Sequence, residues 1–386
     1  MHRLSLCDNT KRLGTGHRVS DCMSVHIIDN NNDLQTYCDH AKTRPWLALD
    51  TEFLRERTYY AKLCLVQLAT DKKDCAVDVL AIEDLSPLAD LISGQDLTVI
   101  LHSSRQDFEV LFQSLGVLPS NVFDTQMAAA FCGSNMQIGY SAIVKDRIGK
   151  DVAASQARTD WSRRPLSTEQ LNYAMEDVEF LGELREGLIA ELTQNGRLDW
   201  YQQAVQELYT VEDYSFPPEL AWRRMRGGRL NVKSQHILKG LAIWRERKAQ
   251  QLNIPRTWLI KDPELMGLAA SAPTTREELM DVDDVALRFR EKNADQILSE
   301  VLKVNKENPT EVLWTDGLPF SNAQRKLVKN AMVLLNKTAE VENVASALIA
   351  TKRDIEGILR GDRDRAPLQT WRYDVFGRHL LELFAD

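Results

Sequence analysis

The chain has 386 residues, of which 44% are hydrophobic and 27% are charged, and its formal net charge is −8. This composition excludes disordered, collagen-like and fibrous proteins, and the length predicts two or three domains. The negative charge, taken alone, argues against a nucleic-acid partner. No stretch is long and apolar enough to span a membrane, and residues 1–22 lack the apolar segment of a secretory signal, so we predict a cytoplasmic protein.

The first patterned segments alternate as strands do. They are strand-like at 46–53, 62–70 and 74–82, helix-like at 86–93 and strand-like again at 97–103, with helical stretches near 105–115, 124–132, 140–148 and 168–193. Three strands followed by strand and helix alternation predict an α/β domain.

Helical periodicity dominates the rest of the chain. The acidic, proline-containing segment 211–219 is typical of a linker, and a second polar break with two prolines falls at 304–319. We therefore predict four parts, in which a disordered N-terminal extension and an α/β domain precede two small all-α domains: 1–22, 23–210, 216–300 and 318–386.

The first candidate site is the strand sequence LALDTEF at 47–53. Residues two apart in a strand point to the same face, so Asp50 and Glu52 project together while Leu47 and Leu49 face the other way. Two neighbouring carboxylates repel each other unless a cation lies between them. An isolated Asp-x-Glu is more often a solvated strand edge, and both interpretations stay open at this point.

Two further motifs follow. In LHSSRQDFEVLF, an apolar strand ends and a helix begins, which places Asp107 in the first helical turn, where a capping box with Ser104 is an alternative explanation. In STEQLNYAMEDVEFL, Tyr173 and Asp177 are four residues apart and share one face of a helix. Taken singly, each motif is more often structural than catalytic.

The joint pattern of these motifs is informative. An Asp-x-Glu on an early strand, an Asp at a strand-to-helix junction and Tyr-x-x-x-Asp on a late helix resemble the DEDDy class of 3′→5′ exonucleases. The surrounding stretches narrow the resemblance to ribonuclease D, and they are LALDTEFLRERTYYAKLCLVQLAT, LHSSRQDFEVLF, VFDTQMAAAFCG and RTDWSRRPLSTEQLNYAMEDVEFL. The segment 238–279 is similar to an HRDC domain, a small helical nucleic-acid-binding module, and a second, more divergent copy is expected after it.

The resemblance implies a fold, a cofactor and a set of roles. The fold would be an RNase H-like mixed sheet flanked by helices, followed by two all-α HRDC-like domains. Two divalent ions, Mg²⁺ or Mn²⁺, would suit four carboxylates. Asp50 would bridge both ions, Glu52 and Asp177 would complete the site of the attacking water, and Asp107 would hold the second ion through water. Tyr173 would orient the attacking water.

Two residues near the acids are weaker candidates for substrate contact. Phe53 follows the Asp-x-Glu motif and is a candidate to stack on the terminal base, with core packing as the alternative. His102 follows an apolar strand and is a candidate substrate contact, with a satisfied buried histidine as the alternative.

The charge is unevenly distributed. Residues 23–205 contain 16 Lys and Arg against 27 Asp and Glu, whereas 219–262 contain 11 against 3. Cationic side chains bind phosphates whatever the base sequence. Because acidic partners are absent nearby in the sequence, we predict that Arg224, Arg226 and Arg229 contact RNA. Trp222, Trp244 and Trp258, which are interleaved with the basic residues of 219–262, are predicted to be core residues.

These observations favour a metal-dependent 3′→5′ exoribonuclease that releases nucleoside 5′-monophosphates. The implied partners are tRNA precursors and other structured RNA 3′ ends, with no membrane, and we expect a monomer. Two alternatives remain: a DNA 3′→5′ exonuclease of the proofreading or Werner type, and a non-catalytic RNA-binding scaffold. Intact acids and a tyrosine argue against the scaffold.

Overall fold

A computed structural model describes residues 25–152, 159–207, 211–314 and 319–385. The predicted extension 1–22 lies outside the described residues. Within the described ranges, no helix combines the length and the apolar character that crossing a membrane requires.

A six-stranded mixed sheet forms the centre of the N-terminal region. Its strands are β1 Ile27–Ile28, β2 Trp46–Leu54, β3 Lys62–Ala69, β4 Asp74–Val77, β5 Thr98–Leu101 and β6 Val122–Asp124. Their order across the sheet is β1-β4-β3-β2-β5-β6. The β2–β3 and β3–β4 pairs are antiparallel, whereas β1–β4, β2–β5 and β5–β6 are parallel. This arrangement is the expected mixed sheet.

Helices flank the sheet and then continue alone. Those of the N-terminal region are α1 Asn31–Ala41, α2 Ser86–Ile92, α3 Arg105–Leu115, α4 Thr125–Phe131, α5 Tyr140–Arg147, α6 Thr168–Glu179, α7 Leu181–Gln194, α8 Leu198–Gln206 and α9 Val211–Ser215. A 3₁₀ turn, Pro218–Arg224, leads into α10 Val232–Leu252, α11 Arg256–Leu259, α12 Asp262–Ser271, α13 Arg276–Met280 and α14 Leu287–Glu307. The last helices are α15 Asn322–Glu342, α16 Ser346–Ile349, α17 Lys352–Leu359, α18 Thr370–Arg372 and α19 Arg378–Ala385.

The two faces of β2 bury different cores. Leu47 and Leu49 pack with helices α1 to α3 on one face, whereas Ala48 packs with α4 and α7 on the other. This alternation is the period of two that the sequence predicts, and it points Asp50 to the face of Ala48. The polar positions of β2 therefore lie at one end of an otherwise apolar strand.

The two C-terminal helical units differ in the hydrophobic cores to which they contribute. Helices α10 to α14, which we call the first helical unit, bury their own cluster around Leu241, Leu268 and Ile297. Helices α15 to α19 instead share a core with α4, α7 and α8, and the Trp371 ring stacks on Trp200 with ring centroids 4.5 Å apart. The segment that we expected to be a separate last domain thus packs into the core of the N-terminal region.

The secondary-structure predictions hold with three differences. The strand expected at 74–82 ends at Val77, because Asp78 accepts the N–H of Leu80 and starts a turn. The single helix expected at 168–193 is two helices that meet at Phe180. Helices α1, α8 and α9 and strands β1 and β6 were not predicted, and α9 lies in the segment that was expected to be a linker.

Candidate active site

Strand β2 delivers the first two acids. Asp50 pairs with Gln67 of β3 across the antiparallel ladder, and Glu52 pairs with Leu65. The register then shifts between Glu52 and Phe53, as a β-bulge does, so the regular pairing is interrupted directly after Glu52. Both carboxylates consequently lie on one face at the end of the regular ladder.

Asp107 reaches the site from the other face of the sheet. It lies in the first turn of α3 and is 7% exposed. Its carboxylate accepts a 2.5 Å hydrogen bond from the Thr51 hydroxyl, on the residue between the two β2 acids. The capping explanation is wrong, because Ser104 makes no side-chain cap and donates instead to Asp124 at 2.8 Å.

Helix α6 supplies the remaining residues. It starts with the predicted capping box, in which Ser167 and Gln170 bond each other's backbone N–H groups. Four residues apart on its surface, the Tyr173 hydroxyl is hydrogen-bonded to the Asp177 carboxylate. The Tyr173 ring lies 6.2 Å from the fully buried Trp161 ring, which limits its orientation.

Three carboxylates converge in one cleft. Oxygens of Asp50, Glu52 and Asp177 lie within 4.8 Å of one another, with Asp107 outside that group. All four residues line a cleft of about 730 Å³, together with Tyr173. Asp107 is close enough for its charge to raise the pKa values of Asp50 and Glu52.

Burial and mutual repulsion keep these acids protonated more than usual. Burial first, and then the charges of neighbouring acids, raise the pKa of Asp50 well above its ordinary range and that of Glu52 to about 8. Burial raises the pKa of Asp107 to about 7 and that of Asp177 to about 6, although hydrogen bonds from Thr51 and Tyr173 oppose these shifts. The charged neighbours that shift these four pKa values are themselves acids, so no positive charge offsets the repulsion between them.

The donor set of the cleft fits divalent ions. Carboxylate oxygens are the ligands that Mg²⁺ and Mn²⁺ prefer. Gln67, opposite Asp50 on β3, is fully buried, and neither its amide nitrogen nor its amide oxygen finds a hydrogen-bond partner in the described part of the chain. A buried amide without a partner is costly, and Gln67 lies beside Asp50 without being among the residues that line the cleft.

Phe53 and His102 both line the cleft. Phe53 is half-buried, and its ring also packs on the core behind β2, so it makes the packing contact and faces the cleft. His102 has both ring nitrogens engaged, by the Thr125 hydroxyl at 2.9 Å and the Ile138 carbonyl at 3.0 Å. His102 therefore fits the alternative of a histidine whose hydrogen bonds are all made within the protein.

The predicted basic cluster is only partly free. The premise that acidic partners are absent is wrong for Arg224, which lies 3.5 Å from the Glu246 carboxylate and over the Phe216 ring. Arg226 and Arg229 are exposed, as predicted for phosphate contacts. The Arg224 guanidinium has a structural partner as well, although its side chain is 39% exposed.

The tryptophans within residues 219–262 differ in how deeply they are buried. Trp222 packs edge-on against Trp314 with ring centroids 5.2 Å apart, in agreement with a core role. Trp258 is 59% exposed, so the core prediction is wrong for it. Trp258 belongs to α11, a helix of four residues, none of which is buried.

Comparisons with known proteins agree with this geometry. Residues 25–193 match the 3′-5′ exonuclease family model, and residues 234–301 match the HRDC domain model. With the mixed sheet and the acidic cleft, these matches define a 3′→5′ exonuclease with an attached HRDC domain.

More specific relatives cover nearly the whole chain. Ribonuclease D of Acidiphilium cryptum is 36% identical over 92% of this chain and 92% of its own length, and that of Jannaschia sp. is 37% identical over 93% and 95%. The crystal structure of Escherichia coli RNase D, described as an exoribonuclease involved in structured RNA processing, aligns with a TM-score of 0.84 at 28% identity, covering 94% of this chain and 99% of that one. The chain belongs to the ribonuclease D family and is a 3′→5′ exoribonuclease.

Residue-level reasoning missed several side chains of the site. Thr51 is the middle residue of Asp-Thr-Glu, and its alternation to the opposite face was the available signal that it would meet a group from α3. Gln67 sits in an apolar strand, where a lone amide is a signal of a polar neighbour. Tyr140 lines the cleft and ties α5 to α6, because its hydroxyl donates to the Glu176 carbonyl at 2.9 Å and accepts from the Phe180 N–H at 3.1 Å. No sequence signal marked Tyr140.

Proposed function

We propose that the cleft hydrolyses RNA from its 3′ end with two divalent ions, Mg²⁺ or Mn²⁺, and releases nucleoside 5′-monophosphates. The observation that carries this proposal is the group of three carboxylates whose oxygens lie within 4.8 Å of one another, at the end of β2 and on α6. Such ions, when bound, supply an activated water and stabilise the leaving oxygen.

The side chains of the cleft would have different roles in hydrolysis. Asp50, Glu52 and Asp177 would hold one ion, and Asp50 with Asp107 would hold the second. The Tyr173 hydroxyl would orient the attacking water, since its hydrogen bond to Asp177 holds it beside the carboxylates. Trp161 keeps that ring in place. Thr51 keeps the Asp107 carboxylate turned toward β2 through its 2.5 Å hydrogen bond.

The substrate class follows from the rest of the molecule. Precursors of tRNA and other structured RNA 3′ ends would place the terminal nucleotide in the cleft, while Arg226 and Arg229 contact phosphates of the RNA body. The description of the Escherichia coli relative, an exoribonuclease involved in structured RNA processing, supports this choice. The chain would act as a monomer in the cytoplasm, where such precursors are matured.

The decisive experiment follows the digestion of RNA and DNA strands of equal sequence, labelled at either end, with Mg²⁺, Mn²⁺ or EDTA. We expect 5′-labelled RNA to shorten in single-nucleotide steps, 3′-labelled RNA to release a labelled mononucleotide at once, and EDTA to stop both. DNA degraded as fast as RNA would favour a DNA exonuclease, since discrimination depends on the 2′-hydroxyl. Activity that persists in EDTA would refute the metal-dependent mechanism.

A further inference from the structure

The loop between β2 and β3, residues 55–61, connects the cleft to the first helical unit. Arg55 and Glu56 line the cleft directly after the β-bulge. Tyr59 and Tyr60, a few residues on, contact the end of α10. One short segment therefore touches both the site of hydrolysis and the module that we expect to bind the RNA body.

Helix α10 holds the loop with four hydrogen bonds. The Tyr59 hydroxyl donates to the Glu246 carboxylate and accepts from the Gln250 amide at 3.2 Å. The backbone N–H groups of Tyr59 and Tyr60 both donate to the Asn253 side-chain oxygen, at 3.0 and 3.1 Å. The loop is thus fixed through its backbone as well as through a side chain.

These partners on α10 are themselves well positioned. Glu246 is 2% exposed, and a buried carboxylate needs its donors because an unsatisfied charge in the interior is costly. Asn253 caps α10 in the left-handed conformation, at φ 47°, which asparagine tolerates better than most residues. The contact with the loop is therefore fixed by the burial of Glu246 and by the cap at Asn253.

Helix α3 holds the other side of the same loop. The Arg55 guanidinium lies 2.6 Å from the Glu109 carboxylate. Gln113 donates to Glu109 at 3.2 Å and accepts the N–H of Ala61 at 3.1 Å. Because α3 also carries Asp107, the loop joins the helix of a proposed metal ligand to the first helical unit.

Arg55 has the chemistry to bind substrate. Of the described residues that line the cleft, it alone is a lysine or an arginine, and its side chain is 39% exposed. A guanidinium presents five N–H donors, so contact with Glu109 leaves donors for a phosphate oxygen. In a cleft whose other charged lining residues are acids, this cation is the natural partner for the anionic backbone of RNA.

We propose that the first helical unit positions loop 55–61, and with it an Arg55 guanidinium that binds a substrate phosphate. Tyr59 and Asn253 are then positioning residues that govern hydrolysis without touching RNA. The proposal rests on the hydrolytic function proposed for the cleft. The first helical unit would then influence the hydrolysis even of RNA substrates that are too short to reach the basic surface of that unit.

The test measures kcat and KM of the full chain on a ribotrinucleotide with Mg²⁺. Y59F removes only the hydroxyl, and N253G keeps the left-handed cap while removing the acceptor. Each should lower kcat/KM about 10-fold, the effect of one or two lost hydrogen bonds, mainly through KM. Y60F is the matched control, since Tyr60 meets α10 through its backbone, and should leave kcat/KM unchanged.

A double-mutant cycle with R55A separates positioning from general loss of structure. If Tyr59 acts through Arg55, adding Y59F to R55A should cost nothing further. Equal losses from Y59F in the presence and absence of Arg55, or wild-type values of kcat/KM for both Y59F and N253G, would overturn the proposal. A wild-type chain that does not cleave RNA with Mg²⁺ would instead refute the proposed function of the cleft.

Discussion

The acidic cleft and the basic first helical unit differ in the sign of their charge and in how much of it is neutralised by neighbouring side chains. In the cleft, strand alternation and helix periodicity place Asp50, Glu52 and Asp177 together, with Arg55 as the one lysine or arginine among the described lining residues, and burial raises the pKa values of the three acids. In the helical unit, the excess of arginine is partly neutralised from within, as the buried Arg245 pairs with Asp262 at 2.7 Å. Net charge alone therefore does not reveal which charged side chains are available to a ligand.

The comparison also explains the overall charge of −8. Residues 23–205 carry 11 more acidic than basic residues, while 219–262 carry 8 more basic than acidic ones. The acidic region requires cations before a phosphate can approach it, whereas the basic region can approach phosphates directly. Four changes would break or sharpen this contrast.

The largest effect is expected when the cleft loses a central acid. Asp50→Asn should lower the rate of RNA hydrolysis at least about a thousandfold, because a metal ligand contributes several kcal/mol to the transition state. Single-turnover digestion of 5′-labelled RNA with Mg²⁺ measures the loss. Asp146→Asn, at an exposed position away from the cleft, is the control. Full activity in Asp50→Asn would refute its role as a ligand.

Removing the Tyr173 hydroxyl should have the next largest effect. Tyr173→Phe keeps the ring beside Trp161 but removes the hydrogen bond to Asp177, so turnover should fall about 10- to 100-fold, the lower range for a group that positions a proton-transfer partner. Mg²⁺ binding, followed by calorimetry, should persist. Unaltered turnover would show that the hydroxyl takes no part.

Reversing the free cations of the basic unit should weaken RNA binding but not the chemistry. Arg226→Glu with Arg229→Glu should reduce the salt dependence of binding by about 1.4 in slope, the value for two phosphate contacts on a single strand. Fluorescence anisotropy at several salt concentrations, with Ca²⁺ in place of Mg²⁺, provides the slope. The matched pair Arg276→Glu and Arg288→Glu should leave it unchanged. An equal loss in both pairs would exclude a localised contact.

The smallest effect concerns stability and pH. The pKa of Glu52 rises from 4.5 to about 8 on folding, so protons stabilise the metal-free protein at low pH and that stabilisation is lost as the pH rises through this range. The midpoint of thermal unfolding in EDTA should therefore fall between pH 5.5 and pH 8.5, by roughly 2–4 °C for each kcal/mol lost. Glu52→Gln should show a smaller fall, and Mg²⁺ should raise the midpoint of the wild type most at pH 8.5. A pH-independent midpoint would contradict the effect of burial and of the neighbouring acids on the pKa of Glu52.

Local patterns were sufficient wherever one element decides the outcome. The placement of Asp50 and Glu52 on one face depends only on strand alternation, and the Ser167 capping box depends only on four consecutive residues. Strands β2 and β3 were predicted almost to the residue for the same reason. The break at Phe180 was missed because both helices continue one apolar pattern.

Partners distant in sequence could not be predicted in this way. Arg224 looked free because no acid is near it along the chain, but Glu246 is one helix away and buried beside it. The sharing of a core between the last helices and the nuclease region likewise depends on packing between segments far apart in sequence.

The sequence by itself determined the strands and helices that carry the acids and the sign of the charge in each region, because these depend on residue type and local period. The class of protein came from the resemblance of its motifs to ribonuclease D. The tertiary structure decided which charges remain free, that Thr51 rather than Ser104 holds Asp107, and that loop 55–61 lies between α3 and α10. The contacts of Asp107 and of loop 55–61 join residues from 52 to 194 positions apart in the chain, which no local pattern encodes.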